Sequence, residues 1–205
     1  MAAVETFEVL RPGILTTVQD LGRPGFARYG VAPSGALDAF SLRVANLLVG
    51  NTEDAAALET AVMGLCLKAL RDVVAAVTGA DLKPMWGREP LAMWRSHRIR
   101  AGEVIAFPGP AGGMRSYIAV SGGIDVTPVL GSRSTNLPSG FGGVAGRALR
   151  KGDILYRAVV ENELRFAGRA FEPAWVPVYP SRWRLRVIWG PQDDQFTEEG
   201  RQAFV

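Results

Sequence analysis

The sequence has little of the two residues from which most transition-metal and redox sites are built. It holds one cysteine, Cys66, and one histidine, His97. A single cysteine closes no intramolecular disulfide, which fits a reducing compartment. Together the two residues cannot supply the several Cys and His ligands of a zinc site, although a carboxylate-rich metal site stays open. Lysine is scarce as well: Lys68, Lys83 and Lys151 are the only ones, so arginine carries most of the basic charge behind the net +3. The arginines are scattered, with a cluster at Arg95, Arg98 and Arg100. A nucleic-acid binder gathers basic charge on one face and interleaves aromatics, so no nucleic-acid partner is expected. Long apolar runs are absent. Val73–Val77 and Ile118–Val120 fall far below the roughly 20 residues that span a membrane. The N-terminus shows no basic start followed by an apolar stretch, hence no secretory signal. No membrane association and a cytoplasmic location are the expectations.

What is present is an ordinary globular composition: 205 residues, 48% hydrophobic and 21% charged. That suggests one large domain or two small ones. The 24 glycines and 13 prolines are spread along the chain and read as tight turns between short strands. Phe7–Leu10 and Ile14–Val18 flank Arg11-Pro12-Gly13 as a hairpin-like pair. Val73–Thr78 is a buried run, Arg98–Phe107 alternates around Gly102, and Ser116–Val120 alternates up to Gly122-Gly123. One helix is predicted over Gly35–Val49, with Leu37, Phe40, Val44, Leu47 and Leu48 on one face. Ser34 is its expected N-cap and Gly50-Asn51 its stop. A short turn is expected over Glu53–Ala57, then a strand over Leu58–Val62. Arg100–Ile105 and Arg150–Leu155 echo each other, which reused hairpin chemistry would explain. The fold class is therefore mainly β with one or two short helices. Residues 1–158 form a first domain, 159–183 read as a linker, and a strand at Arg184–Trp189 followed by a helical Gln195–Val205 reads as the start of an incomplete second unit.

Three segments carry polar groups suited to chemistry. In Thr16–Gly25, Gln19, Asp20 and Arg23 sit at a strand end and glycine turn, where loops on a rigid scaffold often hold functional groups. Arg23 there offers a planar fork to a carboxylate or phosphate, or simply pairs with Asp20. In Gly30–Asp38, a loop feeding a helix N-terminus offers N–H groups to an anion, or is only a capped helix start. It lacks the Lys-Ser/Thr ending of a P-loop. In Ser121–Gly143, Ser132, Arg133 and Ser134 lie among glycines that permit close approach to a ligand, or form tight turns around a solvated arginine. A Ser-His-Asp triad would have to use His97, and no Gly-x-Ser-x-Gly elbow is present. Cys66, within Leu65–Leu67, reads as a core hydrophobe.

Taken in order, these segments resemble a known family. The motifs are Gly13–Arg23, Gly30–Asp38, Ala45–Asn51, Leu58-Glu59-Thr60, Thr78-Gly79-Ala80, Gly113–Tyr117, Ala119–Val126, Gly131–Thr135 and Gly190-Pro191-Gln192. The chain is similar to the KipA family, also called the 5-oxoprolinase C subunit, allophanate hydrolase subunit 2, or carboxyltransferase subdomains A and B. The resemblance implies a cyclophilin-like β-barrel unit. It implies a subunit of an ATP-dependent 5-oxoprolinase, opening the 5-oxoproline lactam to glutamate together with a KipI-like subunit (the 5-oxoprolinase B subunit) and the 5-oxoprolinase A subunit. ATP would act through the complex, and the chain alone would be inactive. One alternative is a biotin-dependent carboxyltransferase component acting on urea or a related small amide. Another is a non-enzymatic regulator that binds a KipI-like partner. Under the resemblance Asp20, Asp38 and Arg133 are catalytic, and Gln19, Arg23, Ser34, Gly35, Ser132 and Ser134 bind substrate, with no metal. Their donors would hold carboxylate or developing negative charge on oxygen, and Asp20 or Asp38 would orient an amide N–H. Leu65 and Asn136 stand where the family often has proline and an acid. Family members usually continue well past Gln192, so the chain resembles a shortened member.

Overall fold

The computed structural model describes residues 3–180, 182 and 184–204. In chain order the strands are β1 (Ala3–Pro12), β2 (Leu15–Gln19), β3 (Ala57–Ala61), β4 (Leu65–Ala69), β5 (Val73–Asp81), β6 (Met85–Trp86), β7 (Glu89–Pro90), β8 (Arg95–Ile99), β9 (Val104–Ala106), β10 (Gly112–Val120) and β11 (Ile154–Ala158). Helix α1 (Ala39–Leu48) lies between β2 and β3, and α2 (Glu198–Phe204) follows β11. All strand pairs are antiparallel, in two sheets ordered β11-β1-β4-β9-β6-β7 and β2-β3-β10-β5-β8. The chain is mainly β with two helices, as its turn-rich composition predicts. No helix among the described residues is long and apolar enough to cross a membrane.

The second sheet is buried on both faces, which explains the unbroken apolar run in β5. Val73, Ala75 and Val77 face the first sheet, together with Ile118 and Val120 of β10. They meet Phe7, Val9, Leu65 and Leu67 of β1 and β4. The alternate residues Val74, Ala76, Tyr117 and Ala119 face the other way, toward Leu42, Val44, Ala45 and Leu48 of α1. Period-2 alternation thus gives one sheet two cores.

Several local expectations are corrected. Phe7–Leu10 and Ile14–Val18 do not pair: β1 pairs with β11 and β4, and β2 pairs with β3. Gly13, at φ +72°, carries the chain from one sheet to the other, and a Cβ there would sit 2.8 Å from the Leu65 nitrogen. Arg98–Phe107 likewise divides between β8 and β9, in different sheets. Helix α1 starts at Ala39, capped by Asp38 and not by Ser34. Asp38 Oδ1 accepts the Ser41 N–H at 3.0 Å, whereas Ser34 adopts φ 55°. The buried face of α1 is also rotated: Leu37, Phe40 and Leu47 are exposed, while Ser41 and Asn46 are buried. Gly50, at φ +79°, does follow the helix end. Among the described residues, Arg184–Trp189 forms no strand.

The echoed turns prove structurally equivalent. Gly102 N–H donates to Ala69 O (2.7 Å) and Ala69 N–H to Glu103 O (2.8 Å). Gly152 N–H donates to Val9 O (2.8 Å) and Val9 N–H to Asp153 O (2.9 Å). Each turn therefore docks on one of the paired central strands β1 and β4. The segment expected as a linker runs as a strap along α1 and β8. Phe166 is buried in the second core, Ser96 Oγ donates to Phe166 O at 2.6 Å, and Phe171 N–H donates to Trp94 O at 2.8 Å.

Candidate functional site

Asp20 follows β2, and its carboxylate ties its own turn to the Ser132–Ser134 loop. Oδ1 accepts from Gly22 N–H (2.7 Å), Ser132 Oγ (2.6 Å) and Ser134 Oγ (2.5 Å), and Oδ2 accepts from Arg133 N–H (2.5 Å). Four donors thus converge on one carboxylate, three on Oδ1 and one on Oδ2. The Asp20 N–H also donates to Ser134 Oγ at 2.9 Å. Gly22, at φ +85°, makes the turn possible: a Cβ would lie 2.7 Å from the Pro33 and Ser34 carbonyl oxygens. Gln19 extends the clamp. Its Oε1 accepts from Gly35 N–H (3.1 Å), and its Nε2 donates to Thr17 Oγ1 (3.0 Å) and Thr135 O (3.4 Å).

Arg23 is 1% exposed. Its Nε donates to Val129 O at 3.3 Å, its Nη2 donates to Ser134 O, and its guanidinium lies 4.9 Å over the Phe141 ring. It forms no direct ion pair with Asp20 among the described residues; the two interact only through space. Burial lowers the Arg23 pKa from its ordinary value, and the Asp20 charge opposes that shift. Nη1 has no partner among the described residues.

A second cluster centres on Glu59 of β3. Oε1 accepts from Arg115 Nη1 at 2.6 Å, and Oε2 accepts from the Leu37 N–H (2.9 Å) and the Tyr117 hydroxyl (2.7 Å). The Tyr117 oxygen in turn accepts the Asp38 N–H at 2.8 Å. Burial pushes the Tyr117 phenol upward, reinforced by the Glu59 charge. Asp38 Oδ2 accepts from Ser41 Oγ (2.6 Å) and from Tyr179 of the strap (3.0 Å).

The two clusters meet on the segment before α1. Gly35 N–H goes to Gln19, Ala36 N–H to Asp20 O (2.9 Å), Leu37 N–H to Glu59 and Asp38 N–H to Tyr117. Four successive donors of this loop, Gly35 to Asp38, are thus used by side chains and backbone of the sheet. Ser34 and Gly35 adopt φ 55° and 95° at the start of this segment, half-buried. Ser132 and Ser134 are buried with their hydroxyls on Asp20. Arg133 differs: its main chain is locked to Asp20, but its side chain is 43% exposed and, among the described residues, its one ion pair is with Asp125, at 3.8 Å. The structure thus brings Gln19, Asp20, Arg23, Ser132, Arg133 and Ser134 together and sets Asp38 in the neighbouring Glu59 cluster. Sequence reasoning gave no role to Glu59, Arg115, Tyr117 or Tyr179. The available signal was Glu59 itself, a carboxylate inside Ala57–Ala61, a strand buried throughout.

Residues 29–205 match the family model "Carboxyltransferase domain, subdomain A and B". The chain is 39% identical over 199 residues to the 5-oxoprolinase C subunit of Escherichia coli K12, covering 96% of this chain and 62% of that protein. It is 35% identical over 209 residues to urea amidolyase of Lachancea kluyveri, covering 97% of this chain and 11% of that protein. It superimposes on a crystal structure of TTHA0988 with a TM-score of 0.82 and 37% identity, covering 98% of this chain and 38% of that one. The chain therefore spans less than two thirds of the length of these curated relatives.

Proposed function

Because the chain belongs to the family of the carboxyltransferase domain, subdomains A and B, we propose that it serves as a subunit of an ATP-dependent 5-oxoprolinase, opening the 5-oxoproline lactam to glutamate with a KipI-like B subunit and an A subunit. The observation that carries this reading is the 39% identity to the 5-oxoprolinase C subunit across 96% of the chain. ATP is used through the complex, and the chain by itself turns over nothing. Lactam opening adds water across the amide C–N bond, so negative charge develops on the carbonyl oxygen. In this reading Arg133 meets that charge, or the substrate carboxylate, a role supported by its accessible fork and fixed backbone. Preorganised donors of this kind contribute most when they need no reorientation. Asp20, Ser132, Ser134, Gln19 and Arg23 act by holding that loop. Ser34 and Gly35 shape the adjoining wall, and Asp38 orients the amide from the Glu59 side.

A second reading is a biotin-dependent carboxyltransferase acting on urea or a related amide, favoured by the match to urea amidolyase over 97% of the chain. The two separate in one experiment. The chain is mixed with candidate partner subunits and given either 5-oxoproline with ATP or urea with carboxybiotin. Glutamate and phosphate released together support the first reading, and carboxyl transfer to urea supports the second. Arg133→Ala should retain assembly yet lower turnover by about 10- to 1000-fold, the range for losing an oxyanion donor. Full turnover in that variant would remove Arg133 from the proposal. A stable complex with no turnover on either substrate would overturn both readings and leave a regulator that binds a KipI-like protein.

A further inference from the structure

A further concavity lies apart from the Asp20 cluster. It is an open cleft of about 710 Å3 between the β5–β6 and β7–β8 connections and the strap. Its size is within the roughly 300–1,000 Å3 of small-molecule sites. Met85, Leu91, Met93, Trp94, Val176 and Pro177 make apolar walls, and the polar side chains on it are Asp81, Lys83 and Tyr179.

Two of these residues hold backbone conformations that side chains rarely adopt: Lys83 at φ 53° and Trp94 at φ 58°. Such residues persist only where their surroundings over-determine them, and they gather at ligand sites. Here Asp81 Oδ1 accepts the Lys83 N–H at 2.7 Å. Trp94 is pinned on both sides, its N–H on Val77 O (2.7 Å) and its C=O taking the Phe171 N–H (2.8 Å). The distortion at Lys83 serves no burial, since that residue is exposed.

The charges on the cleft indicate what it takes. Asp81 Oδ2 accepts no hydrogen bond and the Lys83 ammonium makes no ion pair among the described residues. One cation and one anion therefore border the same apolar space. A charged ligand gains from one and is repelled by the other. An amide gains from both, its C=O accepting from the ammonium and its N–H donating to the carboxylate. We propose that this cleft binds an uncharged small molecule with a flat apolar body, packed against Trp94, and one amide edge held between Lys83 and Asp81. The site stands whichever reaction the complex performs.

Three probes share a body and differ in head charge: naphthalene-2-carboxamide, naphthalene-2-carboxylate and 2-naphthylmethylammonium. Their binding to the full chain is measured by NMR titration. The amide should bind about tenfold more tightly than either ion, as expected for hydrogen bonds to charged groups. Gly112 lines the cleft, and a Cβ there meets nothing nearer than the Tyr179 carbonyl oxygen at 4.0 Å. Gly112→Leu should therefore intrude on the cleft and weaken binding. Lys83→Asn, whose side chain tolerates left-handed backbone, should reverse the preference toward the ammonium, because Asp81 is then the one charged side chain lining the cleft among the described residues. That reversal decides the matter even if Gly112→Leu fails to fold. Equal binding of amide and ions, unchanged binding in Gly112→Leu, an unchanged preference in Lys83→Asn, or no amide binding at millimolar concentration would each overturn the proposal.

Discussion

The Glu59 carboxylate is 7% exposed and lies against the Arg115 guanidinium at 2.6 Å. Removing one partner of a buried pair costs more than the pair contributes, because the remaining charge stays desolvated. Arg115 is itself 31% exposed, so water offsets part of the loss. Arg115→Met should cost about 2–3 kcal/mol, below the full buried-pair value. In a domain of this size that lowers Tm by roughly 5–10 °C. Adding Glu59→Gln should restore most of it, since a neutral amide oxygen can still accept from Leu37 and Tyr117 without needing a countercharge. Thermal melts of the two variants check this, and a double variant no more stable than Arg115→Met would show that packing, not charge, sets the cost. At this scale the sequence disclosed part of the site. The polar composition of Gln19–Arg23 and Ser132–Ser134 was plain, and their convergence on one carboxylate was not. Bonds across more than 110 positions, such as Ser134 to Asp20, leave no local spacing to read.

Turns and helices tell a different story. The Arg100–Ile105 and Arg150–Leu155 echo was visible in the residues, because each turn needs a glycine and an acid that accepts the N–H three positions back: Arg100 to Glu103 and Arg150 to Asp153, both at 2.7 Å. The buried face of α1 was misread because apolar periodicity does not know what lies opposite. Ser41 is buried by bonding Asp38 and by offering its C=O to the Thr78 hydroxyl at 2.7 Å. Asn46 is buried by donating to Ala55 O, also at 2.7 Å. The second turn has a pH signature. Asp153 takes both Arg147 nitrogens, at 2.8 and 2.9 Å. That bidentate pair, followed by the Arg150 N–H, holds its carboxyl below the ordinary range despite partial burial. A carboxylate depressed in the folded state contributes stability above its unfolded pKa and loses it as pH falls through the folded value. Asp153→Asn should thus lower Tm at pH 7 by about 2–4 °C, for roughly 1 kcal/mol. The gap to the parent should narrow as pH falls below about 4. Melting curves from pH 7 to pH 3 measure it, and a gap that widens in acid would reverse the assignment.

Across the whole molecule, the two cores differ in how they are closed. The core between the sheets is sealed by strand pairing, whereas the core under α1 is closed by the strap. Phe166 is the strap's anchor. Its ring lies against Gly50, where a Cβ would collide with it. The guanidinium groups of Arg165 and Arg169 both stand 4.7 Å from its centroid. Arg157 of β11 ties the same segment down through Glu163 at 2.7 Å. Truncating a buried phenylalanine costs about 3–5 kcal/mol, but here the loss falls on one side of one core. Phe166→Ala should therefore open the strap before the sheets. Hydrogen exchange should speed up at Gly168 and Phe171, whose N–H groups bond to Ser96 O and Trp94 O. The Val77 and Ile118 amides, inside the doubly buried sheet, should keep their protection. Gly50→Ala should produce the same pattern without touching the strap's own sequence, because its methyl displaces the Phe166 ring. Uniform acceleration across strap and sheet in both variants would mean instead that the two cores unfold as one unit, with the strap an inseparable part of it.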